Sequence, residues 1–242
     1  MGWLDLFPPQ PRCLGCDEKI FYSHISLICD GCLNSMFFNR DYQLFSQFKS
    51  DRYDFYREAN SNCVDTIISP LVYQGLAREL IRELKYEKNI NAAVPLAELM
   101  IKFWLYKSEV VLTDVILLPV PLADGRLKER GFNQAGVMAK IIAENLSLVM
   151  YEQILLRCRE TPPLFKLAPG ERRDVLKGAF RIAENSQSRI VDKVIILVDD
   201  VVTTGSTLFE ASKILLEQGA DKIIGLTAAT ANLQDNESLP RS

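Results

Sequence analysis

The chain has 242 residues, enough for one main domain with a small module attached. Apolar residues make up 48% and charged residues 24%, an ordinary composition for a soluble chain, and no apolar run reaches the roughly 18 to 20 residues that span a bilayer. A net charge of -3 creates no global field for nucleic acid, so any anion site has to be local.

The start, MGWLDLFPPQ, lacks the basic opening and apolar core of a secretory signal. Gly2 follows Met1, but residue 6 is leucine, so the myristoylation pattern fails. A cytoplasmic protein is expected. Four of the six cysteines follow, as Cys13-Leu-Gly-Cys16 and Cys29-Asp-Gly-Cys32, with twelve residues between the pairs. Each C-x-x-C turn aims two thiolates at one point, and two such turns complete a tetrahedral zinc site. Gly15 and Gly31 are expected to relieve strain in the turns. Disulfides are disfavoured in a cytosolic chain, and redox pairs seldom come doubled on so short a segment. With Cys13, Cys16, Cys29 and Cys32 all ligands, no position stays open for substrate, so the zinc is structural and stands in for a core too small to hold about 40 residues. Cys63 and Cys158 stand alone and read as packing residues. His24, the single histidine, lies between the cysteine pairs and reads as a surface loop residue.

Residues 39 to 62 are polar and aromatic without a clean period and read as a connection. From Tyr73, the stripe Leu76, Leu80, Ile81 and Leu84 predicts a helix, with Arg78, Glu79, Arg82 and Glu83 outside it. A second helix is expected from about Asn91 to Tyr106. Val115 to Leu118 is a short apolar strand ended by Pro119-Val120-Pro121, and a helix from about Asn133 to Asn145 comes next. Val194 to Val198 is a buried strand. Leu208, Ala211 and Leu215 give the following helix an inward stripe closed by Gly219, and Ile223 to Leu226 begins a third strand. Strands apolar on both faces, alternating with helices, imply a parallel α/β sheet. The tail from Gln234 is polar and expected to fray. Arg157, Arg159, Lys166, Arg172, Arg173, Lys177 and Arg181 face only Glu160, Glu171 and Asp174, a local positive charge suited to an anion.

The stretch ILVDDVVTTGST, residues 196 to 207, places Asp199 and Asp200 where the buried strand gives out. In a parallel sheet the ligand crevice lies beyond that end, and two adjacent carboxylates there need donors: ribose hydroxyls and a bound Mg²⁺ are the natural partners. Thr203, Thr204, Gly205, Ser206 and Thr207 enter a helix whose free N–H groups favour an anion, and Gly205 lets the backbone approach a phosphate. The lysine of a nucleotide-triphosphate loop is missing, so a 5-phosphoribosyl group fits better.

That string resembles the phosphoribosyl pyrophosphate motif of type I phosphoribosyltransferases. The stretches YQGLARELIRELKYEKN (73 to 89), LLPVPLADGRLKERGFNQA (117 to 135) and TPPLFKLAPGERRDVLKGAF (161 to 180) resemble the ComF family, the competence-associated members of that superfamily, in its ComFC-like form. The four-cysteine front also fits that family. The resemblance implies an α/β, parallel-sheet type I phosphoribosyltransferase fold preceded by a small zinc-ribbon-like module. The expected division is a zinc module over 1–45, a connecting and helical, hood-like segment over 46–110, the phosphoribosyltransferase domain over 111–234 and a polar tail over 235–242.

Carried over by position, the resemblance has Asp199 and Asp200 hold the ribose hydroxyls and Thr203 to Thr207 the 5-phosphate. Leu118 to Leu122, with Pro119, Val120 and Pro121, would form the pyrophosphate loop, where related folds often carry an unusual peptide geometry. Arg126 and Arg130 lie just beyond and could reach the pyrophosphate. Residues 160 to 174 take the place of a flexible catalytic loop bent at Pro169 and Gly170, with Arg172 as its phosphate contact. The family usually shows Gln and Asn where this chain has Leu164 and Asp174. Leu164 offers no donor, so the resemblance carries the sugar-phosphate site further than the loop's catalysis.

Two functions follow from the resemblance. One is an enzyme that binds phosphoribosyl pyrophosphate with Mg²⁺ and transfers the phosphoribosyl group to an acceptor the sequence does not name, in association with DNA uptake. Asp199, Asp200, Arg130 and Arg172 would be its catalytic set. The other is a non-catalytic module that senses that metabolite while binding single-stranded DNA or a ComFA-type helicase. Phe37, Phe38, Tyr42, Phe45 and Phe48 could stack on bases, although aromatics so irregularly spaced are more often core or domain contacts. Related folds commonly dimerise, which leaves a homodimer possible; the sequence itself does not give the oligomeric state.

Overall fold

A computed structural model describes residues 10–21, 23–39, 64–108, 113–160 and 175–231. Its centre is a six-stranded, wholly parallel sheet. The strands are β1 (Thr66–Ile68), β2 (Leu71–Val72), β3 (Val115–Pro119), β4 (Val149–Met150), β7 (Val194–Val202) and β8 (Lys222–Thr230), in the order β1-β8-β7-β3-β4, with β2 also on β8. A separate antiparallel hairpin joins β5 (Leu155–Arg157) to β6 (Phe180–Ile182). The three strands foreseen from apolar runs are the sheet's three adjacent central strands, β3, β7 and β8. Burial on both faces is what makes the runs Val115–Leu118, Val194–Val198 and Ile223–Leu226 within them apolar throughout.

Two buried clusters flank the sheet. On one face lie α2 (Gly75–Arg82), α3 (Ala93–Lys107) and α5 (Gln134–Leu146), packed on Leu117, Ile196, Val198 and Leu226. On the other, α6 (Ser206–Glu217) and the hairpin cover Ile116, Leu118, Ile195 and Leu197. The stripe residues Leu208, Ala211 and Leu215 are buried as their spacing required, and Gly219 closes the helix at φ 92°. α5 is capped by the Asn133 side chain, which accepts from the Ala135 N–H. The short helices α1 (Asp30–Ser35) and α4 (Asp124–Arg130) complete the set.

β7 is longer than its apolar run. It continues through Asp199 to Val202 because β8 keeps pairing with it there, Asp199 opposite Thr227 and Val202 opposite Thr230. β3 stops at Pro119, opposite Val198. Past Val198, β7 is therefore paired on one side and open on the other, and the acidic pair falls on that open step. All peptide bonds of the described residues are trans, those of 118 to 122 included. No helix among the described residues is long and apolar enough to cross a membrane.

Candidate functional site

At the amino-terminal end, the Sγ atoms of Cys13, Cys16, Cys29 and Cys32 lie within 4.8 Å of one another. A tetrahedron with metal–sulfur bonds of about 2.3 Å has edges of about 3.8 Å, and the Cys16–Cys29 separation is 3.7 Å. The donor set and spacing fit a structural zinc site. Backbone N–H groups of Gly15 and Cys29 donate to Cys13 Sγ, and that of Cys32 to Cys29 Sγ. Burial works against a Cys13 thiolate, but the N–H groups of Cys29, Gly15 and Cys16 outweigh it and bring the thiol down to about 6. Burial and the neighbouring sulfurs push Cys32 the other way. One divalent cation held by the four sulfurs would resolve that mutual repulsion. Of the two turn glycines only Gly15 is required: a Cβ there would lie 2.8 Å from Cys32 Sγ and 2.9 Å from Leu76, whereas one on Gly31 meets nothing closer than 3.9 Å.

The module is anchored on α3. Ile25 and Ile28 are buried in the same cluster as Leu96 and Met100. Ser26 donates its N–H to Glu98 at 2.7 Å, and Lys102 reaches the His24 carbonyl at 2.6 Å. His24 itself is a surface residue bonded to Asp30 at 3.1 Å, outside the sulfur cluster. Phe38 stacks on Phe103 of α3 at 5.9 Å, a contact between module and helix, while Phe37 stays exposed. Tyr42, Phe45 and Phe48 lie outside the described residues. So does Cys63. Cys158 is not a packing residue: at the end of the β5 edge it is exposed, its thiol near the carbonyls of Gly178 and Ala179.

The second site is at the carboxyl edge of the sheet. Asp199 and residues 201 to 208 line one cavity, so Thr203, Thr204, Gly205, Ser206 and Thr207 all face it. Gly205 adopts left-handed backbone, φ 74°, as the N-cap of α6, and leaves the helix's first N–H groups without a side-chain cap. The Thr204 and Ser206 hydroxyls are 2.9 Å apart. Asp200 does not share that wall. Its carboxylate meets Lys85 Nζ at 2.8 Å, with both side chains largely shielded. Neighbouring strand residues face opposite sides, which divides the pair. Burial and then the charge of Asp200 push the Asp199 carboxyl up to about 7, against the pull of the Asp200 N–H and the charges of Lys85 and Arg157.

On the β3 side, Pro119 ends the strand, and Val120 is buried with both backbone groups engaged. Its N–H donates to the Val198 carbonyl, and its carbonyl accepts from Asn133 Nδ2. Pro121 is half-buried. Arg126 and Arg130 follow on α4. Arg130 donates to Gln134 Oε1 at 2.9 Å and lies 5.5 Å over the exposed Tyr86 ring. Glu160 accepts from the Gly125 N–H at 2.6 Å, at the start of α4. Of the basic cluster, Arg157 is turned inward over Phe180, and Arg159 donates to the Lys177 carbonyl. Leu164, Lys166, Arg172, Arg173 and Asp174, and with them the bend at Pro169 and Gly170, lie outside the described residues.

Lys85 is the residue that pattern reasoning passed over. It sits four positions after the buried Ile81, just past the end of α2, and a lysine continuing that apolar stripe is the signal that could have marked it.

A parallel sheet with an anion-ready turn after its central strand defines a class, and the comparisons give it a family. The model of the phosphoribosyl transferase domain matches residues 76–238, and the chain belongs to that family. Among curated proteins, the chain is similar to several with competence and DNA utilization names. Competence protein F of Haemophilus influenzae is 37% identical over 107 residues, covering 44% of this chain and 46% of that protein. DNA utilization protein YhgH of Salmonella typhi is 34% identical over 144 residues, 58% of this chain and 61% of that protein. Competence protein ComFC of Bacillus subtilis is 33% identical over 112 residues, 43% and 39% of the two chains. The matches thus span between 39% and 61% of these relatives' own lengths.

Proposed function

We propose that this chain binds 5-phosphoribosyl pyrophosphate and transfers its phosphoribosyl group to an acceptor, in connection with DNA uptake. The supporting observation is the cavity at the sheet's carboxyl edge where Asp199 meets Thr203 to Thr207, in a chain of the phosphoribosyl transferase domain family. The turn's hydroxyls and the free N–H groups at the start of α6 hold the 5-phosphate, and Asp199 accepts from a ribose hydroxyl. Arg126 and Arg130 face the pyrophosphate, drawing off the charge that grows as its C–O bond breaks and a bond to the acceptor forms. Mg²⁺ adds positive charge on the leaving oxygens. Cys13, Cys16, Cys29 and Cys32 hold one structural zinc. The link to DNA follows the relatives' names, competence and DNA utilization.

A second reading, a non-catalytic sensor that meets single-stranded DNA or a ComFA-type helicase, draws on the exposed Phe37 of the cysteine module. One assay divides the two. Pyrophosphate release from Mg²⁺ and phosphoribosyl pyrophosphate, lost in Asp199→Asn, supports the transferase. Tight binding without release, whatever acceptor is added, replaces it with the sensor, and binding by neither wild type nor variant overturns both.

A further inference from the structure

The residues Glu83–Glu87 form a π-helical turn at the end of α2, closed by Lys88 in left-handed backbone. Such turns are rare and cluster at functional sites, where one extra residue re-aims its neighbours. Here Leu84 stays fully buried, Tyr86 points out beneath Arg130, and between them Lys85 turns inward to Asp200. The Lys85 and Asp200 side chains are 17% and 13% exposed. The pair Arg12–Asp17, at 57% and 80%, is an ordinary surface contact by comparison. A shielded pair has given up most of its hydration, and its partners hold each other in place because separating them strands a charge.

This arrangement changes what the acidic pair can do. A divalent cation needs several oxygen ligands and a local excess of negative charge. Asp200 already faces an ammonium at 2.8 Å, and Asp199 is turned into the phosphate cavity on the other side. The two carboxylates therefore do not fit together as a magnesium cage. An ammonium carries three donors; Asp200 takes one, leaving N–H groups for a ligand oxygen.

We propose that Lys85 is the resident counter-ion of the acidic pair, standing on Asp200 where a divalent cation would otherwise bind, so that the site accepts a ribose 5-phosphate group without a metal on these carboxylates. The ligand half of this inference rests on the phosphoribosyl reading above. Any Mg²⁺ the reaction uses then comes with the pyrophosphate.

The test has two arms on the full, zinc-loaded chain. In the first, Mn²⁺ alone is titrated and followed by electron paramagnetic resonance. Lys85→Met is expected to bind it at least about tenfold more tightly than wild type. The gain should disappear in Lys85→Met with Asp200→Asn, and Lys85→Arg, which keeps the charge, should stay close to wild type. Superimposable wild-type and Lys85→Met titrations overturn the proposal, as does a gain in Lys85→Arg equal to that in Lys85→Met. In the second arm, ribose 5-phosphate binding is measured by calorimetry with and without Mg²⁺. Wild type should change by less than about threefold and Lys85→Met should gain at least about tenfold on adding the metal; equal gains sink the idea. No heat from any variant overturns the phosphoribosyl reading instead, while the Mn²⁺ arm still decides the role of Lys85.

Discussion

The cysteine module and the corner between β7 and α6 solve the problem of holding a polar site in opposite ways. In the module, four cysteine sulfurs gather around one point with the spacing of a zinc site, and the few buried side chains, Ile25 and Ile28 among them, dock on α3 rather than forming a core of their own. In the corner, the site residues add little to stability. Asp199 is partly buried at an electrostatic cost and Gly205 occupies left-handed backbone. The apolar layer beneath, Ile195, Leu197, Leu208 and Leu215, carries them. A ligand cluster can build a small fold, whereas a binding edge has to be mounted on one built by other residues.

The contrast breaks most visibly at the metal. Cys13→Ser, or chelation of the wild type, is expected to remove one zinc per chain and unfold residues 10 to 39, since structural zinc is worth about 10 kcal/mol or more to such modules. Metal analysis with hydrogen exchange checks this, and a wild type without stoichiometric zinc ends the account of the module. Next in size, Leu197→Ala, at a fully buried position, should cost about 2 to 5 kcal/mol in denaturant unfolding and leave the zinc content unchanged. A loss of zinc in that variant would merge the two regions into one cooperative unit.

Gly205→Ala should cost about 1 to 2 kcal/mol, because the Cβ meets the carbonyl in left-handed backbone. Ribose 5-phosphate affinity should fall along with it, as the turn that offers the N–H groups shifts. The last contrast is a pH dependence. Asp199 has a folded value near 7 against 3.8 in the ordinary state, so the folded chain holds the proton more tightly. Its burden is absent below about pH 4, grows as pH rises toward 7, and is complete above that. Asp199→Asn should therefore lose less stability than wild type between pH 5 and pH 8, by paired denaturant curves. A wild type that gains stability over that range through this residue reverses the sign and refutes the burial of its charge.

Much of this molecule could be read from local spacing, because spacing is a local property. C-x-x-C turns bring two sulfurs together within one loop, apolar runs of four or five residues mark strands buried on both faces, and Leu208, Ala211 and Leu215 mark a helix face whatever lies against it. The turn from Thr203 to Thr207 was likewise visible as hydroxyls and one glycine opening a helix. Where the apolar run ended, however, the strand did not: β7 continues to Val202 because β8, not its own side chains, supplies the pairing. Glu160 at the start of α4 and the exposed Cys158 also depend on how the β5–β6 hairpin sits. The division of Asp199 from Asp200, and the lysine that claims the second, required chain segments far apart in sequence to be packed on one edge. Periodicity records which side of its own element a residue faces, but only packing decides what stands across from it.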